Sequence, residues 1–144
     1  MRWLSAVELS APLESGWVGF MSGWTDNELA EIGVADELEI TSFRNDGTVR
    51  PYVTIWVVRV ADDLYVRSWK GRSGGWFRRA LQRREGRIRA AGIERDVTLE
   101  EPGDAVHSAI DNAYRTKYGR YPVAYVQPMV APDAIAATFR LVPH

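Results

Sequence analysis

The stretch from Leu64 to Arg84, LYVRSWKGRSGGWFRRALQRR, reads as a strand, a glycine-rich turn and a short helix. LYVRSW has the aromatic and β-branched content of a strand. Gly74 and Gly75 interrupt it, and Trp76, Phe77, Ala80 and Leu81 then share one helical face. The same stretch carries Arg67, Lys70, Arg72, Arg78, Arg79, Arg83 and Arg84 and no acidic residue. A glycine-rich loop entering a helix start offers free backbone N–H groups and the positive end of the helix dipole. Lys70 and Arg72, with Gly71, Gly74 and Gly75, are therefore a candidate anion site. The competing reading is a solvated loop with exposed charges. No Gly-Lys-Ser/Thr triplet follows, so this is not a Walker loop.

Working upstream, PYVTIWVVRV at 51–60 reads as one long, largely buried strand, and ELEITSF at 37–43 as another. Asn45-Asp46-Gly47-Thr48 is a strong turn signal between them. With LYVRSW they predict an antiparallel meander of three strands. Thr25 and Glu28 have capping-box spacing for a helix running to about Ile32, with Gly33 as its stop. Downstream, Gly86 ends the central helix, and GRIRAAGI and ERDVTLE are strands joined at Gly92. Residues 103–118 form a helix whose apolar face holds Val106, Ala109, Ile110, Ala113 and Tyr114, and Gly119 stops it. Residues 121–132 read as irregular chain or a short strand, 133–137 as a helical turn, and ATFRLVP as a final strand. The expected architecture is α+β, a small antiparallel β-barrel with two to three helices over residues 24–144, preceded by an N-terminal extension, residues 1–23.

Length and composition set bounds on function. At 144 residues the chain is one domain with room for a real core. It has no cysteine, which excludes disulfides, thiolate catalysis and cysteine zinc sites. Its two histidines, His107 and His144, and its unclustered acids predict no metal site. No apolar run reaches the roughly 20 residues of a membrane span, and no signal-peptide pattern emerges, so no membrane association and a cytoplasmic address are expected. Between Arg67 and Arg95 there are ten basic and two acidic residues, a local charge of +8. That asymmetry permits nucleic-acid binding. The net charge of −1 and the lack of a recognised module argue against it.

The order TSFRNDGTVRP, VTIWVV, DDLYVRSWKGRSGGWFRRAL, RIRAAGIERDVT and a helix ending in YRTKYGRYP resembles the deazaflavin-dependent nitroreductase family of the FMN-binding split-barrel superfamily. It resembles still more closely an uncharacterised bacterial branch of that type. The likeness covers about residues 25–142. The family's Ser-Lys-Gly-Gly loop is recognisable in Ser68-Trp69-Lys70-Gly71 with one residue inserted. Its Trp-Tyr-x-Asn-Leu helix becomes Trp76-Phe77-Arg78-Arg79-Ala80-Leu81, with Arg79 in place of Asn. Its Pro-Arg pair is reversed as Arg50-Pro51, and its basic turn becomes Arg44-Asn45-Asp46-Gly47, without the turn lysine.

The resemblance implies a split barrel that binds a deazaflavin coenzyme or FMN and passes a hydride to a small organic acceptor, as a homodimer. It implies cofactor contacts from Arg44, Arg50, Thr54, Trp56, Ser68, Trp69, Lys70, Gly71, Arg72, Gly75, Trp76 and Arg78. It places Tyr118 and Tyr121, near the end of the second long helix, by the substrate as proton donors. Packing is the competing reading for Trp76, Trp56 and the tyrosines. His107, beside the apolar stripe, reads as a boundary residue rather than a base. Two other functions stay open: a cofactor-free barrel that binds or rearranges a small hydrophobic ligand, favoured by Asn45, Asp46 and Arg79, and a nucleic-acid-binding module.

Overall fold

The computed structural model describes residues 23–144. The expected extension therefore lies, but for Gly23, outside the described residues. Helix α1, Asp26–Val34, begins at Thr25 with the capping box intact: Thr25 Oγ1 accepts from the Glu28 N–H and the Glu28 carboxylate accepts from the Thr25 N–H. The helix runs past Gly33, which lies against the Arg59 side chain, and ends at Ala35 in extended conformation. Strand β1, Leu38–Ser42, precedes the Arg44–Thr48 turn, where Gly47 takes φ +88°.

The expected long strand is two strands. β2, Val53–Ile55, and β3, Val58–Val60, are separated at Trp56-Val57. After β4, Asp63–Arg67, a 3-10 turn over Gly71–Ser73 leads into α2, Gly75–Arg83. α2 ends at Arg84, which adopts the left-handed conformation at φ 61°. Gly86 is thus not the helix stop. It sits in β5, Glu85–Ala90, where a Cβ would come within 2.0 Å of the Thr41 carbonyl oxygen. β5 turns tightly through Ala91 and Gly92, both at positive φ, into β6, Ile93–Glu100. Then come α3, His107–Tyr118, with a 3-10 turn before it, and the short helices α4, Val123–Val126, and α5, Pro132–Ile135. β7, Thr138–Pro143, completes the sheet. The stretch expected to be irregular or extended is helical, so the described residues hold five helices rather than two or three.

All seven strands form one antiparallel sheet in the order β2-β1-β5-β6-β7-β4-β3. Its two edge strands are consecutive in the chain, so the three-stranded meander is replaced by a wider design. A flat seven-stranded sheet would hold its edges about 29 Å apart at ~4.8 Å per strand. The three residue steps from Ile55 to Val58 span at most about 11 Å. The sheet must therefore curl until its edges nearly meet, and the covalent chain bridges the split.

Two apolar clusters result. Leu38, Ile40, Leu64, Val66, Ile88, Val97, Leu99 and Phe139 fill the barrel, closed by Leu29 and Ile32 of α1 and by Phe77 and Ala80 of α2. Phe77 and Phe139 stack with ring centroids 4.4 Å apart. Outside the barrel wall, Ile110, Tyr114 and Tyr118 of α3 cover Val58 and Tyr65, with Val126, Met129 and Val130 beside them. β4 is buried on both faces for this reason: Leu64 and Val66 look into the barrel, Tyr65 under α3.

Candidate functional site

A cleft of about 600 Å³ opens where the barrel splits. β2 and the bridge supply Val53, Thr54, Ile55 and Trp56, and the turn and helix start supply Trp69 and Trp76. Ala124, Tyr125, Pro128 and Met129 form the facing wall, and Arg67 closes the floor. Three indoles and a phenol around a mainly apolar space suit a planar ring, which aromatic faces take in offset or edge-on packing. Trp69 is 61% exposed and Tyr125 63%, so the mouth of the cleft is apolar and open.

Of the residues expected at a site, the structure brings Thr54, Trp56, Trp69 and Trp76 together in this cleft. Arg50 lies next door, in a shallow recess that shares Val53 and Trp76 with the cleft and includes Ser42 and Arg79. Its guanidinium donates to Ser42 Oγ at 2.8 Å and to Gln82 Oε1 at 3.1 Å. The glycine loop lies beside these residues. Gly71 at φ +74° is packed on Asp133, and Ser68, buried, donates to the Gly71 carbonyl. A Cβ on Gly74 would stand 2.5 Å from Ser68 Oγ and 3.3 Å from the Lys70 Cβ. The Arg79 guanidinium folds back to within 3.0 Å of where a Gly75 Cβ would be. Lys70 lies over the Trp69 ring at 5.3 Å.

The other expected residues are committed elsewhere. Arg44 donates to Thr48 and to the Val49 carbonyl, closing its own turn. Arg72 donates to Glu101 at 2.5 Å and to the Ala136 carbonyl. Tyr118 and Tyr121 do not line the cleft. Tyr118 is fully buried, accepts from the Val57 N–H at 3.2 Å and donates to the Asp36 carbonyl at 2.8 Å. Burial pushes its phenol well above the usual range, so it stays protonated. Its ring is stacked on Trp56 at 3.9 Å, 1° from parallel, while Tyr121 tilts against the same indole and takes a bond from Arg120.

Charge at the site is set by pairing. Among the ten cations between Arg67 and Arg95, seven have a carboxylate partner: Arg67, Arg72, Arg83, Arg84, Arg87, Arg89 and Arg95. Among the described residues, no carboxylate pairs with Lys70, Arg78 or Arg79. Those three flank Gly74 and Gly75 in sequence and stand at the start of α2, whose first N–H groups need acceptors. Arg78 is exposed, as expected of an anion contact or of a solvated surface residue.

Two residues that sequence reasoning passed over matter here. Arg67 is wholly buried and acts as a hub: Nε donates to Thr138 Oγ1 at 3.0 Å, one terminal nitrogen donates to Asp111 at 2.5 Å and to the Met129 carbonyl at 2.9 Å, and the other meets His107 Nδ1 at 3.1 Å. A guanidinium only donates, so His107 Nδ1 accepts and the neutral ring carries its proton on Nε2. Burial, with the Arg67 charge, holds His107 below its ordinary value. The second is Lys117, whose ammonium donates to the Val57 carbonyl at 2.6 Å. Burial pushes it down to about 8, against the pull of Asp36. Neither had a motif to announce it. The spacing of His107 and Asp111, four apart on a helix opposite a strand arginine, was the available signal for Arg67.

Comparison with solved structures shows a split-barrel fold. An F420 reductase superposes with TM-score 0.57 at 12% identity, over 84% of this chain and 96% of its own. The heme storage protein HutZ of Vibrio cholerae gives 0.59 at 12% identity, over 83% and 89%. A Listeria innocua protein provisionally assigned as a pyridoxamine 5'-phosphate oxidase gives 0.55 at 12%, over 83% and 92%. Curated proteins yield no significant sequence match. No described helix is long and apolar enough to cross a membrane. The sequence profile of the uncharacterized protein family conserved in bacteria, DUF2255, matches residues 28–141, and the chain belongs to that family.

Proposed function

We propose that this protein binds a flavin-type mononucleotide, FMN or a deazaflavin coenzyme, in the tryptophan-lined cleft and acts as a reductase on a small organic acceptor. The observation that carries this reading is the adjacency of two features. Trp56, Trp69 and Trp76 wall a cleft large enough for a tricyclic ring, and Lys70, Arg78 and Arg79, at the glycine-rich start of α2 beside it, have no carboxylate partner among the described residues. An apolar ring and an anionic tail on one molecule match that pair of features. The fold shared with an F420 reductase agrees with it.

The bound cofactor would supply the hydride, and the protein would supply binding, orientation and electrostatics. Trp56 and Trp69 would pack against the ring. Lys70 and Arg79, with the first N–H groups of α2 from Gly75 onward, would hold the phosphate, since the Gly74 N–H is already donated to the Gly71 carbonyl; Arg50 shares the recess with Arg79. Pro128 and Met129 would give the ring an apolar wall on one side of the cleft. Thr54 and Tyr125 are the hydroxyl-bearing residues in the cleft lining, and they, rather than Tyr118 and Tyr121, would donate a hydrogen bond to an acceptor that gains charge. The open apolar rim at Trp69, Val123 and Tyr125 is suited to burial against a second subunit, and we propose a homodimer.

The test is an absorbance spectrum of freshly purified protein, followed by titration with FMN and with a deazaflavin coenzyme while tryptophan emission is read. A flavin band, or saturable quenching by one cofactor, is expected. Lys70→Ala should weaken binding by about 1.5–3 kcal/mol, the range for hydrogen bonds to charged groups. A colourless protein quenched by neither cofactor would leave the cleft to a neutral hydrophobic ligand instead.

A further inference from the structure

We propose that Lys117 and Tyr118 are positioning residues of the cleft, acting through Trp56. The assignment starts from the break in the sheet. Val57 lies between β2 and β3, fully buried, with no strand partner opposite it. Its N–H and its carbonyl would both be orphaned, and a buried backbone group without a partner is costly. α3 supplies both partners from adjacent residues. Tyr118 Oη accepts from the Val57 N–H, and Lys117 Nζ donates to the Val57 carbonyl.

The two contributions are not redundant. Tyr118 Oη also lies 3.1 Å from the Val57 carbonyl, but its nearer acceptor is the Asp36 carbonyl at 2.8 Å. A hydroxyl has one proton. With that proton on Asp36, the Val57 carbonyl depends on Lys117. The clamp fixes the chain one residue after Trp56, and the Tyr118 ring backs the indole in a parallel stack at 3.9 Å. One face of Trp56 is thereby covered by Tyr118, while the residue lines the cleft. Ring position is then set by α3, which itself contributes no residue to the cleft lining.

The assignment rests on the reading that the cleft takes a planar ligand, and the test has an arm that does not. In the ligand-free protein, the near-ultraviolet dichroism lost on Trp56→Leu defines the signal of that indole. Lys117→Met and Tyr118→Phe should each remove at least half of it with an unchanged far-ultraviolet spectrum. Lys117→Arg, which keeps a donor, should retain it. Tyr118→Phe preserves the stacked ring and is the milder change should Lys117→Met fail to fold. In the second arm FMN is the probe. Lys117→Met should weaken its binding about tenfold in the wild-type background and leave it unchanged in the Trp56→Leu background. An intact Trp56 signal in the folded variants overturns the proposal, as does a tenfold loss that persists without Trp56. If the wild-type protein binds no FMN, the cofactor reading fails and the dichroism arm alone decides this one.

Discussion

At the scale of the residue, buried charge decides more than exposed charge. Arg67 is surrounded by Asp111, His107, Thr138 and the Met129 carbonyl, all satisfied by a single guanidinium. Removing one partner of a buried pair strands the other, at a cost of about 3–5 kcal/mol. Arg67→Leu should therefore lower the stability measured by urea unfolding by about that amount, and a loss below ~1 kcal/mol would show that the hub is not coupled to folding. Lys117 gives a pH dependence. Its folded value, about 8, lies below the ordinary 10.5, so the unfolded chain holds its proton to higher pH. Stability rises with pH wherever the unfolded state binds more protons. Between pH 8 and about 10 the melting temperature of the wild type should gain on that of Lys117→Met. Above pH 10 that gain should level off while both melting temperatures fall, because Tyr114 and Tyr118, present in both proteins, stay protonated in the fold while their unfolded phenols ionise. A difference between the two melting curves that is flat from pH 8 to 10 would remove burial as the cause.

At the scale of the element, most boundaries were legible because they are written in local chemistry. The Thr25 box, the Gly47 turn and the Gly-rich entry to α2 each satisfy backbone groups within a few residues. What was not legible was pairing. PYVTIWVVRV is largely apolar and rich in β-branched residues, and nothing in it says that its halves form opposite edges of the sheet. In the fold Val57 and Val58 are both buried, which breaks the alternation a continuous strand would keep. Gly86 was misread for the same reason: its need for space comes from β1, a strand far away in sequence. This supports a paired prediction. Gly86→Ala puts a methyl into the Thr41 carbonyl and should cost at or above the upper end of the ~1–3 kcal/mol seen for overpacking. Ala91→Asn, at φ 53° in the two-residue turn between β5 and β6, should instead gain a few tenths to about 1 kcal/mol, since Asn tolerates the left-handed conformation better than Ala. Thermal melts of the two variants should move in opposite directions.

At the scale of the molecule, the basic run that dominates the sequence is dispersed by the barrel. β6 carries Asp96 to Arg87, α1 carries Glu28 to Arg95, and the chain beyond β6 brings Glu101 to both Arg72 and Arg84. The local excess of +8 visible in the sequence is thus largely matched across the sheet, and the residual positive charge is concentrated at Lys70, Arg78 and Arg79. The candidate site was legible as a glycine loop with cations. Which cations were available was not, because their partners come from β6, α1 and the chain after β6. Exposed ion pairs of the remaining kind contribute roughly 0–1 kcal/mol each and are weakened by salt. Sodium chloride should therefore change the melting temperature little. Inorganic pyrophosphate at the same ionic strength should raise it, since a ligand that binds only the folded state stabilises by RT ln(1 + [L]/Kd). The rise should disappear in Lys70→Ala/Arg79→Ala and survive in Arg72→Ala, whose charge is already engaged by Glu101. Equal shifts in chloride and pyrophosphate, or a shift lost with Arg72 and kept without Lys70 and Arg79, would move the anion site away from the start of α2. Because the probe carries no ring, this result is independent of whether the tryptophan cleft accepts a flavin.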